Sequence, residues 1–265
     1  MSSGPGDALP EERQREILRR LNNHGRVVAS ELSTSFGVSE DSVRRDLREL
    51  AARGLCRRVY GGALPVSPDL PPVSLRRELQ VEAKLLLARE AARLVRSGHT
   101  LLLDGGSTNS AVADALPDRM GLTVVTTAPD IAQRLMDRQG FEILVIGGRL
   151  DKRAGSAVGI QAALEIRRIR ADLCFPGTCA VDSDTGIWGM NSEEALIKRA
   201  MIESSGATVV VVTTDKFSAV APHQIATLDQ VDHLVVEHTI DANVVALFET
   251  KSISVHLADK DGCAT

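Results

Sequence analysis

The sequence predicts a small helical domain at the N-terminus followed by a larger α/β domain, and three observations support this division. Four prolines, Pro65, Pro68, Pro71 and Pro72, fix the backbone and remove amide donors, so neither a helix nor a central strand continues there. Apolar residues before the prolines recur at helical spacing. Short runs of Val, Leu and Ile after them alternate with amphipathic segments, which is typical of a mainly parallel sheet covered by helices.

Composition excludes several classes of protein. The chain has 265 residues, of which 43% are hydrophobic and 25% charged, and a net charge of −4, as in ordinary globular proteins. Its four cysteines form no CxxC pair and its six histidines lack metal-binding spacing, so we expect no zinc site, disulfide framework or cofactor. We expect a cytoplasmic protein without a signal peptide, and without a membrane span, which needs roughly 18 apolar residues.

The small domain, predicted over residues 10–64, has the pattern of a helix-turn-helix. Phe36, Gly37 and Val38 suit the tight turn before the third helix, because glycine tolerates a positive φ and Val38 can pack inward. Ser39 then provides a good N-cap. The apolar residues that define the three helices are Ile17, Leu18, Leu21, Val28, Leu32, Val43, Leu47 and Leu50.

The third helix carries arginines on a face separate from its apolar residues. Arg44 and Arg48 lie four residues apart and therefore project together. Arginine is suited to bidentate contacts with phosphates and guanine, and the chain has no lysine before residue 84. The alternative is a solvated face on which the arginines form ion pairs with Glu40, Asp41, Asp46 and Glu49. A third arrangement is that only one of Arg44 and Arg45 contacts DNA and the other pairs with Asp46 or Glu49.

A β-hairpin is predicted after the third helix. Residues 55–63 alternate well enough for a strand and contain the glycine pair Gly61-Gly62, which suits a small wing. The wing arginines and the glycine backbone would lie against phosphates. The residues that we predict to contact double-stranded DNA are Ser39, Ser42, Arg44, Arg45, Arg48, Arg57, Arg58, Tyr60 and Gly61.

The α/β domain is predicted over residues 78–258, after a linker at 65–77. Residues 78–97 have a helical pattern. The apolar runs that we predict to be strands are 100–103, 122–126, 142–146, 171–175, 207–212 and 233–236.

A glycine-rich turn follows the first predicted strand. Asp104, Gly105 and Gly106 lead into Ser107 and Thr108 at the start of a helix, and backbone amides at such a turn can bind a phosphate, although the same pattern also starts ordinary helices. Ligands of parallel sheets gather at the carboxyl ends of strands. The polar or glycine-rich loops after other strands are Thr126-Thr127-Ala128, Gly147-Gly148-Arg149, Gly177-Thr178-Cys179 and Thr213-Thr214-Asp215-Lys216.

These loops together predict one pocket for a small molecule, the effector. Glu194 and Lys198 lie four apart on one helix, a spacing compatible with a surface ion pair or with a ligand-binding role. Trp188 suits either core packing or a pocket lid. The residues that we predict to bind the effector are Asp104, Gly105, Gly106, Ser107, Thr108, Asn109, Thr127, Gly148, Gly177, Cys179, Glu194, Lys198 and Lys216.

Residues 13–63 resemble the DNA-binding domain of DeoR-family repressors. The resemblance rests on Val38-Ser39, on Val43-Arg44-Arg45-Asp46-Leu47 and on Arg58-Val59-Tyr60-Gly61-Gly62-Ala63. It implies that the third helix enters the major groove of DNA. Ser42 stands where the family more often has threonine, which is a small loss of methyl contact.

Residues 75–237 are similar to the DeoR-family sensor domain, whose fold is like those of ribose-5-phosphate isomerase and the coenzyme A transferases. The resemblance implies a phosphorylated sugar or related metabolite as inducer. Ala180 stands where glycine is common, and residues 213–217 replace the usual D-x-S-K-F, which puts a carboxylate directly beside the lysine. The matching segments are 103–108, 145–148, 177–182 with Gly186, Glu194 with 198–202, and Lys216-Phe217.

Three functions compete at this stage. A non-enzymatic transcription repressor, relieved by a phosphorylated metabolite, accounts for both halves of the chain. A sugar-phosphate isomerase or transferase-like enzyme is the chief alternative, because fold does not fix function, but it leaves the arginine helix and wing unexplained. The carboxylates available to such an enzyme as general base are Asp104, Asp182, Asp215 and Glu194. A nonspecific architectural DNA binder leaves the predicted pocket unexplained. We expect a homo-oligomer, either dimer or tetramer, because one helix-turn-helix reads too few base pairs.

Overall fold

The computed structural model describes residues 10–24, 26–53, 55–65 and 71–259. The chain divides into two compact units, with the main boundary between residues 69 and 70. The first unit is a winged helix-turn-helix and the second is an α/β domain, so the predicted fold class is confirmed. Among the described residues, no helix has both the length and the apolar character needed to cross a membrane.

The first unit packs three helices against a small antiparallel sheet. Its elements are α1 (Pro10–His24), β1 (Val27–Val28), α2 (Ala29–Phe36), α3 (Glu40–Ala52), β2 (Cys56–Val59) and β3 (Gly62–Pro65). The strand order is β1-β3-β2, with both pairs antiparallel. Ile17, Val43 and Leu50 are fully buried in the core that joins the helices to the sheet.

Two local signals set the turn between α2 and α3. Gly37 ends α2 in the left-handed conformation with a φ of 66°, and its amide donates to the carbonyl of Ser33. The Ser39 hydroxyl caps α3 by accepting from the Ser42 amide at 3.2 Å. Val38 packs against the core between them. The predicted turn therefore has the conformation that a helix-turn-helix requires.

The second unit is built on a seven-stranded parallel sheet. Its elements are α4 (Val73–Glu78), α5 (Val81–Ala92), β4 (Thr100–Leu103), α6 (Ser107–Ala115), β5 (Leu122–Thr126), α7 (Pro129–Leu135), β6 (Phe141–Val145), β7 (Arg149–Asp151), β8 (Ser156–Val158), α8 (Ile160–Ile166), β9 (Ala171–Phe175), β10 (Ala180–Asp182), β11 (Gly186–Gly189), α9 (Ser192–Glu203), β12 (Ser205–Val211), β13 (His223–Ala226), β14 (His233–Glu237), α10 (Ala242–Glu249) and β15 (Ser254–Ala258). Short 3-10 turns lie at Thr214–Phe217 and Leu228–Gln230.

The main sheet has the order β15-β14-β12-β9-β4-β5-β6. Side chains alternate between its two faces: Leu101 and Leu103 of β4 enter one hydrophobic cluster, and Leu102 enters the other. Burial on both faces explains why the strands read as continuous apolar runs. Because the strands are parallel, the loops after β4, β5, β6, β9 and β12 meet at one edge of the sheet.

The sequence pattern missed several strands of this unit. The edge strand β15 has exposed residues at Ser254 and Leu257, so it lacks the apolar run of its neighbours. The β7–β8 hairpin and the small sheet β10-β11-β13 consist of strands of only three or four residues. Such strands are too short for a period of two to be visible in the sequence.

The second unit begins earlier than residue 78. The predicted linker of 65–77 includes most of α4; Val73 is buried, and its amide donates to the carbonyl of Arg153 at 3.0 Å. The helix predicted at 78–97 is also shorter than expected, because Gln80 has a left-handed φ of 51° before α5, and α5 ends at Ala92. Residues 66–70 of the predicted linker lie outside the described residues.

Gly186→Ala is expected to destabilise the second unit. Gly186 begins β11 with a φ of +103°, and an added Cβ would lie 2.1 Å from the Ala226 carbonyl oxygen. The backbone conformation alone costs a non-glycine residue about 1–3 kcal/mol. Gly147→Ala is the control, because an added Cβ there meets nothing within 4 Å. Thermal unfolding should show a lower Tm for Gly186→Ala only, and equal values for both variants would contradict this packing.

Candidate functional site

Helix α3 presents a face of arginines to solvent. Arg44, Arg45 and Arg48 are exposed, whereas Val43 on the inner side is fully buried. Arg44 pairs with Glu40 at 2.8 Å, and both of these side chains are largely exposed. Arg45 and Arg48 make no ion pair with any residue that the structure describes. Two of the three arginines therefore keep an unneutralised charge.

The acids nearest to this face are engaged elsewhere. Asp46 is buried, and its two oxygens accept from Arg13 of α1 at 2.5 and 3.2 Å. Glu49 accepts from the side-chain amide of Gln14 at 2.7 Å. These contacts hold α1 against α3. They also decide between the alternatives for Arg45, which pairs with neither Asp46 nor Glu49.

The β2–β3 hairpin forms the predicted wing. Its two-residue turn consists of Tyr60 and Gly61, with a φ of +81° at Gly61. Arg57, Arg58 and Tyr60 are exposed. The Gly61 carbonyl accepts from the Ala29 amide at 2.8 Å, so the wing tip is tied to the start of α2. The basic residues of the wing are thus held on a defined backbone.

The carboxyl ends of β4 and β9 surround a buried group of charges. The side chains of Asp104 and Lys198 are only 4% and 5% exposed, and Lys198 Nζ lies 3.5 Å from Asp104 Oδ2. The same Nζ lies 3.0 Å from Glu194 Oε2. Glu194 and Lys198 therefore form a buried network and not a surface ion pair.

Burial and charge act in opposite directions on this network. Burial works against the Lys198 ammonium, but Asp104 and Glu194 outweigh it and raise the pKa of Lys198 above its usual value. Burial also raises the pKa of Asp104, against the opposing effects of Lys198 and of the Gly177 amide. Lys198 is therefore the fixed cation of the cluster.

Glycines let two loops approach this cluster closely. The Gly177 amide donates to Asp104 Oδ2 at 2.8 Å, and an added Cβ at Gly177 would lie 2.8 Å from the same oxygen. An added Cβ at Gly105 would lie 2.8 Å from the Cβ of Ser156 on β8. Gly106 precedes α6 with a φ of +138°. A side chain at Gly105 or Gly177 would separate the strand ends.

The first turn of α6 contributes three predicted residues. Ser107 is buried and Thr108 is half-buried at the start of the helix. The Asn109 side-chain amide donates to the carbonyls of Asp104 at 3.1 Å and Phe175 at 2.8 Å. Asn109 therefore joins the ends of β4 and β9, and both of its amide hydrogens are used within the protein.

Thr127, after β5, has a buried hydroxyl without a partner. Its Oγ1 is inaccessible to solvent and makes no hydrogen bond with any of the described residues. Buried hydroxyls are normally hydrogen-bonded, which makes this atom a candidate ligand contact. Gly148 is exposed after β6, and Cys179 is half-buried after β9. Trp188 is half-buried in β11 and belongs to neither core cluster of the described residues.

Lys216 belongs to a separate group at the end of β12. Its Nζ lies 2.7 Å from Oδ2 of the adjacent Asp215. Asp215 Oδ1 also accepts from the Thr213 hydroxyl at 2.5 Å and from the Gln80 side-chain amide at 3.3 Å. The Gln80 contact was not predicted, because 135 residues separate the two side chains along the chain.

Lys84 of α5 is a second cation near this group that sequence reasoning missed. It is only 6% exposed, and its Nζ donates to the carbonyls of Arg76 at 2.5 Å and Leu79 at 2.6 Å. Burial, followed by the charges of Lys216 and Arg76, lowers the pKa of Lys84 to about 8. A lysine in an amphipathic helix is usually exposed, so the sequence carried no signal of this burial.

No group of three or more potential metal ligands occurs in the part of the chain that the structure describes.

Two family models match the chain and cover both units. Residues 13–68 match a DeoR-like helix-turn-helix domain, and residues 79–238 match a DeoR C terminal sensor domain. The chain belongs to the DeoR family. As a DeoR-family protein, it is a DNA-binding transcriptional repressor.

Proteins of similar length resemble this DeoR-family chain along almost all of it. It is 34% identical to the glycerol-3-phosphate regulon repressor of Escherichia coli (strain K12), with 93% of this chain and 98% of that protein covered. It is 27% identical to the HTH-type transcriptional repressor GlcR of Bacillus subtilis (strain 168), with 95% and 97% covered.

Among solved structures, the full-length sorbitol operon regulator SorC from Klebsiella pneumoniae is similar at a TM-score of 0.39 and 11% identity, with 91% of this chain and 100% of that chain covered. Ribose 5-phosphate isomerase A from Methanocaldococcus jannaschii is similar at a TM-score of 0.37 and 16% identity, with 52% and 54% covered.

Lys198→Met is expected to destabilise the second unit, because it leaves Asp104 buried beside Glu194 without a cation. Removing one partner of a buried ion pair typically costs about 3–5 kcal/mol. The control is Arg167→Met, which removes an exposed pair with Glu203 at 2.9 Å; such pairs contribute about 0–1 kcal/mol. Urea unfolding followed by circular dichroism compares the two variants. Equal losses of stability would show that the buried network is dispensable.

Proposed function

We propose that this repressor binds operator DNA through α3 and the β2–β3 wing, and that a phosphorylated sugar or related metabolite bound by the second unit relieves repression. The proposal rests on two features taken together. Exposed arginines lie on α3 in the first unit, and glycines and lysines lie at the carboxyl ends of the parallel strands in the second unit. The DNA interaction and the effector interaction are argued from separate residues, so each has its own test.

The arginine face has the chemistry to bind both phosphates and bases. Arg45 and Arg48 have no ion-pair partner among the described residues, so their charge is available to the DNA backbone or to guanine. Arg44 can exchange Glu40 for a phosphate at little cost, because exposed ion pairs contribute about 0–1 kcal/mol. With α3 in the major groove, Arg57 and the other exposed wing residues would contact the flanking backbone.

Arg48→Ala is expected to weaken binding to the natural operator by about 1–3 kcal/mol, the cost of losing a base contact, without lowering the Tm. Arg44→Ala should act in the same direction. Arg168→Ala is the control, because it removes an exposed arginine from the second unit. Fluorescence anisotropy with labelled operator measures all three. The assignment of α3 as the recognition helix is wrong if both α3 variants bind like the unmodified protein.

Three features of the second unit support an anionic, hydroxyl-bearing effector. Gly106 opens α6 at the end of β4, and amides at a helix N-terminus favour an anion. The Thr127 hydroxyl lacks a partner among the described residues and suits a sugar hydroxyl. Lys216 and Lys84 supply positive charge at the neighbouring strand end. A relative with 34% identity is named for the glycerol-3-phosphate regulon, which agrees with a phosphorylated effector.

We also propose that the protein is not an enzyme. An isomerase needs a carboxylate free to act as a general base. Asp104 is held by Lys198 and the Gly177 amide, and Glu194 is also held by Lys198. Asp215 is held by Lys216, and Asp182 accepts from the amides of Asp184 and Thr185. These engaged carboxylates support a binding role. A turnover assay with ribose 5-phosphate tests this directly, since measurable isomerisation would favour the enzyme.

A phosphorylated effector should release the protein from its operator, and Lys216→Ala should lose this response while keeping DNA affinity without effector. Lys251→Ala is the control, because it removes an exposed lysine from the same unit, outside the predicted effector-binding loops. Linkage requires that DNA weaken effector binding by the same factor as the effector weakens DNA binding. That factor corresponds to a coupling free energy of typically about 1–3 kcal/mol. Titration of the operator complex with phosphorylated and free sugars gives the answer. Release by no phosphorylated compound, or equal release by the free sugars, would refute phosphate sensing.

The same proposal includes a cytoplasmic homo-oligomer. A single helix-turn-helix contacts too few base pairs for a unique operator, and paired half-sites match two-fold symmetry. A dimer or tetramer therefore fits the DNA-binding role. Analytical ultracentrifugation with and without operator distinguishes these states from a monomer.

A further inference from the structure

The lysine best placed to bind a phosphate is already paired within the protein. Lys216 Nζ lies 2.7 Å from Asp215 Oδ2, with the two side chains 22% and 46% exposed. The partners are adjacent in sequence, in the 3-10 turn after β12. An incoming anion therefore meets a lysine whose charge is partly used.

Two further groups hold the Asp215 carboxylate in this position. The Thr213 hydroxyl donates to its Oδ1 at 2.5 Å, and the Gln80 side-chain amide donates at 3.3 Å. Burial opposes ionisation, but the hydrogen bonds from Lys216 and Thr213 prevail and lower the pKa of Asp215 below its usual value. Asp215 is therefore a carboxylate at neutral pH, fixed from several directions.

Positive charge exceeds negative charge around this pair. The pKa of Lys84 is affected by the charges of Lys216, Arg76 and Asp215, so these four groups share one environment. Glu237 adds a second carboxylate, because its Oε2 accepts from the Thr214 amide beside Asp215. Three cations therefore face two carboxylates. Arg76 donates to the carbonyls of Pro71 and Arg153 at 3.0 and 3.4 Å and makes no ion pair with any residue that the structure describes. The excess of cations favours an anion with more charge than one carboxylate.

We propose that Asp215 is a tethered competitor of the effector: its carboxylate occupies Lys216 in the free protein, and the anionic group of the effector binds by displacing it. This inference rests on the proposed function for the role of Lys216. A carboxylate carries one negative charge, whereas a phosphate monoester carries about 1.5 to 2 at pH 7. The exchange therefore favours a phosphate monoester and gives no advantage to a second carboxylate. Asp215 weakens effector binding and restricts it to strongly charged anions.

The test is calorimetric titration of the full-length protein with inorganic phosphate. Asp215→Asn removes the charge but keeps the shape, so phosphate affinity should rise about twofold to fivefold, the range expected for release of a partly exposed ion pair. Asp215→Ser is a second variant in case asparagine disturbs the turn. Lys216→Gln should abolish the binding, and Asp215→Asn combined with Lys216→Gln should behave like Lys216→Gln alone. Circular dichroism confirms that each variant is folded.

Unchanged or weaker phosphate binding by both folded Asp215 variants would overturn the inference and make Asp215 a helper of binding. The inference would also be overturned if neither the unmodified protein nor any variant binds phosphate. It would equally be overturned if Asp215→Asn raises phosphate affinity even when Lys216 is replaced. Failure of the proposed function is a different result: no phosphorylated sugar changes operator affinity, whatever the phosphate titrations show.

Discussion

Asp104 and Lys198 form an ion pair in which the two side chains are only 4% and 5% exposed. Such charges are tolerated only when they are paired and hydrogen-bonded, so the surrounding chain has to deliver those partners. The Gly177 amide comes from the loop after β9, Glu194 comes from α9, and Asp104 itself directly follows β4. The relative positions of these three elements at the strand edge therefore depend on one cluster of charges.

The first unit uses a buried ion pair in a comparable way. Arg13 and Asp46 join α1 to α3, with side chains only 10% and 4% exposed. Asp46 is adjacent to Arg45 in sequence, yet its carboxylate faces inward, and Arg45 makes no ion pair within the described part of the chain. The V-R-R-D-L segment thus combines a structural acid with arginines that face solvent. The direction in which each side chain leaves the helix separates the two roles.

Much of the fold could be predicted because its signals are local. The α2–α3 turn at Gly37 and the Ser39 cap depend on neighbours in sequence, and the central strands depend on burial on both faces. The site was predictable only as a set of loops meeting at one sheet edge. The Arg13 partner of Asp46 lies 33 residues away and the Gln80 partner of Asp215 lies 135 residues away, so no local pattern encodes these two contacts.

The roles of Asn109 and Lys84 could not be predicted, because they depend on hydrogen bonds that form only in the folded protein. Asn109 suits a ligand contact in sequence, but its amide hydrogens are taken by the carbonyls at the ends of β4 and β9. Lys84 suits a solvent-facing position, but it is buried against the end of α4. Only the three-dimensional structure shows which donors and acceptors are hydrogen-bonded to each other, because most of these pairs join residues that are distant in sequence.

The basic residues on α3 and the wing are all arginines, and the chain has no lysine before residue 84. A guanidinium group stays protonated at every pH that a cell reaches, and it is not a target of lysine acetylation. The positive charge of these two elements is therefore constant. Acyl donors and amine-directed labelling reagents can change side-chain amines of the second unit but leave the arginines of α3 intact.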